Sequence, residues 1–123
     1  MQYQGGGSRK ALERFLRKAY GICSTYSVYH ETEPRHISDV QPGDVLVYPA
    51  TKNRLGHAMI VLDVARKGSK VAILFAEGFT PACELHVVRN PDSASNPWFF
   101  FDGDEQKFQV SAFQFGKEGL RHY

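Results

Sequence analysis

Ser8, His57 and Glu77 are the residue types from which a proton-relay site can be built. His57 follows Gly56 and opens an apolar run that reaches Ala65. Imidazole titrates closest to neutral pH, so a histidine at the mouth of a strand has the chemistry of a general base. A lone histidine in such a place is as a rule structural, and a catalytic reading needs a partner on each side. Glu77 is one candidate. It closes the run Leu74-Phe-Ala76, and the end of a returning antiparallel strand lies beside the start of the strand before it. A carboxylate there would accept from the imidazole, fix its tautomer and raise its basicity. The plain alternative for Glu77 is a solvated strand-end acid.

Ser8 is the second partner. It stands at the start of a helical pattern, where unpaired N–H groups and the helix dipole favour developing negative charge. A serine hydroxyl becomes nucleophilic only with a base beside it. Without one, Ser8 is an N-cap contributing about 1 kcal/mol. Together the three residues imply acyl transfer at an amide or ester: Ser8 attacks, His57 carries the proton, Glu77 orients His57.

Cys23 is the competing nucleophile, but it falls near the end of the same helical pattern, where the dipole disfavours a thiolate. Cys83 has no base near it in sequence. The two cysteines form no metal-ligand spacing, and free buried thiols are expected in preference to a disulfide. His30, His36, His86 and His122 make no H-E-x-x-H pattern, and there is no P-loop or dinucleotide fingerprint. No metal or other cofactor is therefore expected. Trp98 opens an aromatic patch with Phe99, Phe100 and Phe101. Alternate members belong to a core; the others, Trp98 among them, are expected to line a substrate groove.

These residues need elements to hold them. Leu12, Phe15, Leu16, Ala19 and Cys23 recur at helical spacing, which predicts a helix from about Ser8 to Ile22. Ser24 to Tyr29 reads as a short irregular or helical piece, and Glu31 to Val40 as loop. Pro42-Gly-Asp44 is a turn that launches a strand, Val45 to Pro49. Gly56 to Ala65 reads as a central strand covered on both faces. Lys67-Gly-Ser69 turns it into Lys70 to Ala76. Further strands are expected at 83–89, 98–101 and 108–115, followed by a polar tail from Gly116. The sum is one domain over residues 1–123, of α+β class: an N-terminal helix packed on a curved antiparallel sheet of five or six strands.

Composition narrows the partners. The chain has 123 residues and a net charge of +2, too mild and too dispersed to imply nucleic acid. The densest basic cluster, Arg9, Lys10, Arg14, Arg17 and Lys18, reads as the solvated side of the helix. No apolar run reaches the roughly 18 residues of a membrane span. Met1 to Ser8 does not have the character of a signal peptide, and the compartment is left open, export included.

Several segments carry a resemblance in combination. They are Ser24-Thr-Tyr-Ser-Val28, Pro42-Gly-Asp-Val45, Gly56-His-Ala-Met-Ile-Val61 with Asp63, Phe75-Ala-Glu-Gly-Phe-Thr-Pro-Ala82, Glu84-Leu-His86, Asn90-Pro91 and Pro97-Trp98. In this order they resemble a bacterial family known as domain of unknown function 4846. The helix, the Pro-Gly-Asp turn and the Gly-His strand start are also similar to the NlpC-type branch of papain-like cysteine peptidases and amidases. That second resemblance implies a papain-like fold and a nucleophile, base and orienting residue at Ser8, His57 and Glu77. It also implies a tyrosine, Tyr3, at the substrate rim, and peptidoglycan peptides as substrate. Serine stands where those enzymes have cysteine, which implies as an alternative an inactive relative that binds a peptide or glycan. A structural or assembly protein with no groove is the third expectation, and would leave His57 buried far from Ser8.

Overall fold

The computed structural model describes residues 9–11, 25–78, 85–92 and 94–123. Its elements in chain order are α1 (Thr25–Glu31), β1 (Glu33–Pro34), β2 (Val45–Tyr48), β3 (His57–Lys67), β4 (Lys70–Glu77) and β5 (His86–Val87). They continue with β6 (Phe99–Asp102), β7 (Lys107–Val110), β8 (Phe113–Gly116) and β9 (Leu120–His122). Short 3-10 turns occupy Ile37–Asp39 and Lys117–Gly119.

The central sheet grows from two local signals. Gln41-Pro-Gly-Asp44 closes a tight turn in which the Asp44 N–H donates to the Gln41 carbonyl. Proline presets the first corner, and Gly43 at φ 96° takes the second, a conformation that L side chains rarely adopt. The chain leaves as β2, pairs antiparallel with β3, and turns at Gly68-Ser69 into β4. The sheet order is β1-β9-β2-β3-β4-β5. The far edge of β4 is shared: its start pairs with β6 and its end with β5. β7 and β8 form a separate hairpin.

Strand alternation gives this sheet two apolar faces. Val45, Val47, Ile60 and Ala76 point to one face and meet Val28 of α1. Leu46, Met59, Val61, Ile73 and Phe75 point to the other and meet Phe108, Val110 and Phe115 of the β7–β8 hairpin. Both faces are covered, which is why β3 reads as nearly continuous apolar sequence.

Two expectations are corrected here. The α+β architecture, with a long N-terminal helix laid on a papain-like sheet, is not the fold. Strand takes 46% of the described residues and helix 17%, and only α1 reaches seven residues. The domain is mostly antiparallel β. Residues 9–11 are helical; the rest of the segment 8–22 lies outside the described residues. What covers the site face of the sheet is a β-hairpin, which the sequence reading merged into one strand at 108–115. The turn at Ser111-Ala112 lacks the glycine or asparagine that marks tight hairpins, and Ser111 itself takes a positive φ of 56°. The polar tail is the second correction. Leu120 and Arg121 are buried, and β9 pairs with both β1 and β2. Arg121 is held by neutral acceptors: its Nε donates to Thr32 Oγ1 at 2.8 Å and its guanidinium to the Thr32 carbonyl at 2.6 Å. Tyr29 stacks on it at 4.1 Å.

Candidate functional site

His57 and Glu77 meet because β3 and β4 are antiparallel and a one-residue register shift between Val61 and Asp63 turns Glu77 onto the face of His57. Ile60 pairs with Ala76 and Val61 with Phe75, so by alternation His57, Met59 and Glu77 share a face. The imidazole Nε2 lies 2.6 Å from Glu77 Oε2, with the two side chains 11% and 5% exposed. A carboxylate only accepts, so Nε2 carries the proton and the neutral tautomer has its lone pair on Nδ1.

Two further contacts hold the ring. Phe113, at the start of β8, stacks on it with centroids 3.8 Å apart and planes within 8°. Tyr48 is its cross-strand neighbour at the end of β2. Gly56, just before His57, is packed so tightly that a Cβ there would fall 1.9 Å from Thr25 Oγ1 and 2.7 Å from the Ala50 backbone nitrogen. Only glycine lets the start of α1 approach the strand mouth this closely.

Glu77 serves a second imidazole. His86 pairs with it across β4 and β5, and its Nε2 lies 3.6 Å from Oε1, the other carboxylate oxygen. His86 is 43% exposed and faces an open groove of about 680 Å³ that Glu77 also lines. Among the described residues, no three His, Cys, Asp or Glu side chains converge in a way that could hold a metal ion.

Of the residues singled out from sequence, the fold brings His57 and Glu77 together. Ser8 and Tyr3 lie outside the described residues, as do Cys23 and Cys83. Trp98 is half-buried and lines neither this groove nor the smaller one beside it. The residues that sequence reasoning missed are His86, Phe113 and Thr25. His86 sits on an alternating segment at an offset that pairs it with Glu77, but that pairing needs the strand register. Phe113 is one of many aromatics, and nothing local distinguishes it from core.

Fold and site define an antiparallel β domain that carries a buried imidazole–carboxylate pair beside an open groove. Residues 2–122 match the family described as domain of unknown function (4846), and the chain belongs to that family. No curated protein matches the chain, and no solved structure does. No helix among the described residues is long and apolar enough to cross a membrane.

Proposed function

We propose that this domain is hydrolase-like and acts on an amide or ester bond, with His57 as general base and Glu77 as the residue that positions it. The observation that carries the reading is the 2.6 Å contact between a mostly buried imidazole and a buried carboxylate, at the end of a sheet that opens on a groove. With Nε2 engaged by Glu77, Nδ1 is the nitrogen that takes the proton of the attacking group. Ser8 is the nucleophile in this proposal, on its sequence position alone. Its Oγ bonds to the acyl carbon as its proton passes to Nδ1. His57 then returns that proton to the leaving amine or alcohol. Water repeats the sequence on the acyl-serine, releasing the acid and restoring Ser8. Glu77 stabilises the imidazolium that forms at each stage. Peptidoglycan peptides entered through the likeness to NlpC-type enzymes and lose that support with the papain-like fold, so the substrate class stands as an acyl compound.

A fluorophosphonate probe with peptide mapping tests the reading. Labelling of Ser8 that disappears in Ser8→Ala and His57→Ala and persists in Cys23→Ser supports it. An unlabelled protein, or labelling indifferent to His57, overturns it.

One observation favours a second reading, a non-catalytic binding module: the groove is built along a strand edge and has the room for a ligand whether or not a bond is cut. Ser8→Cys separates the two. Hydrolysis gained by the thiol marks a site that lacks only its nucleophile.

A further inference from the structure

The groove beside Glu77 is lined by four successive residues, His86, Val87, Val88 and Arg89, and closed on the other side by Asn96 and Ser111. Successive residues of an extended strand point to opposite faces. Glu77, His86 and Val88 share one face of the sheet, whereas Val87 between the last two points to the other, so the groove meets β5 at the Val87 backbone as well as on that face. β5 is an edge strand among the described residues, paired with β4 alone. The Val88 N–H donates inward to the Phe75 carbonyl at 2.9 Å. Alternation therefore turns the Val87 N–H and C=O outward, toward the groove. Such an edge accepts the amide groups of an extended chain.

The side chains add a sign. Arg89 is exposed, and among the described residues its guanidinium has no hydrogen-bond or ion-pair partner. The Asn96 oxygen accepts from the Asn90 N–H, and its NH2 group is a donor that a ligand can use. The acid lining this groove, Glu77, lies between two imidazoles. Asp92 lines the adjoining, smaller groove. Among the described residues the one cationic side chain of the wall is thus Arg89, its one acid is already engaged by imidazoles, and a guanidinium fork matches a carboxylate through two parallel hydrogen bonds.

We propose that this groove binds a short, extended peptide-like ligand that ends in a carboxylate, with the ligand's amides along the outer edge of β5 and its carboxylate on Arg89. The binding stands by itself; it rests on the hydrolase reading only in that the ligand's bond would be cut at His57. The test titrates the labelled protein with N-acetyl-dialanine and with the C-terminal amide of the same peptide, followed by NMR at the Val87 amide and the Arg89 Nε–H. The acid is expected to bind roughly fivefold tighter than the amide at low salt, the size an exposed charge pair supports. The preference fades as salt rises, disappears in Arg89→Gln and persists in His57→Ala. Arg89 is exposed, so its variant is expected to fold, which circular dichroism checks. Equal binding of the two peptides, binding of neither, a preference that survives Arg89→Gln, or an unmoved Val87 amide would each overturn the proposal. Probe labelling of Ser8 without a preference for the acid sinks the groove and leaves the hydrolase reading. A preference for the acid without labelling does the reverse.

Discussion

Two buried carboxylates in this domain have opposite surroundings. Asp44, 3% exposed, ends the turn before β2. Its Oδ2 accepts from the Gln41 N–H at 3.0 Å and lies 2.9 Å from Arg35 Nε. Burial raises its pKa from 3.8 to about 6, against the opposing pull of the Gln41 N–H, Arg35 and His122. Glu77, 5% exposed, ends β4. Its partners are two imidazoles, one stacked under Phe113 and one facing a groove. Asp44 is closed by backbone and a permanent cation, which suits a turn that must never open. Glu77 is closed by two imidazoles, the partners that the proposed proton relay requires. Burial is alike at the two acids; the chemistry of their partners is what differs.

The contrast breaks first at His57. His57→Ala is expected to slow probe labelling by about 10²- to 10⁴-fold, the usual contribution of a general base, and to leave the fold intact by circular dichroism. An unchanged rate would put Glu77 in the same structural class as Asp44. Glu77→Gln is expected to act in the same direction, slowing labelling at least about tenfold by weakening the hold on the ring. As a positioning effect it should also move the pH–rate profile. A profile that keeps its shape would reduce Glu77 to a packing role.

Asp44→Asn tests the other side. Asp44's folded pKa lies above its unfolded value, so between pH 3.8 and about 6 the folded chain binds the extra proton. Its contribution to stability is therefore fully favourable below that window and declines as pH rises through it. The variant holds no such proton. It should match the parent near pH 4 and exceed it above pH 6, by at most about 3 kcal/mol for a separation of roughly two pH units. Urea titrations at several pH values check this, and probe labelling should not change. A variant equally stable at all pH values relative to the parent would mean that the Arg35 pair outweighs burial. The smallest effect is at Ser111, whose φ of 56° costs a serine more than a glycine. Ser111→Gly is expected to raise stability by about 1 kcal/mol in the same titrations, without altering labelling. A loss of labelling instead would tie this turn to the site.

The core strands were legible because their signals are local. Pro42-Gly43 needs a tight turn whatever surrounds it. The apolar run after His57 is long enough to require cover on both faces, and Gly68 marks the hairpin that returns the chain. Those three facts bring the end of β4 back to the start of β3; a one-residue register shift between Val61 and Asp63, which no local signal marks, then turns Glu77 onto the face of His57. The β7–β8 turn and β9 were not legible. Ser111 bends the chain where turn chemistry predicts continuation. The closing segment looks solvated because the arginine it buries is matched by acceptors 89 residues away, at Thr32.

The sequence by itself therefore determined the meander of β2, β3 and β4, which follows from turns and from alternation over short spans, and its motifs in combination carried the likeness to the family. Tertiary structure alone decided that a β-hairpin covers the site face of the sheet. It alone decided the register shift that brings Glu77 to His57, that Phe113 stacks on His57, that His86 lies near the second oxygen of Glu77, and that β5 lines a groove. Those contacts join segments that no local rule relates, and they depend on how whole faces pack after each strand has formed.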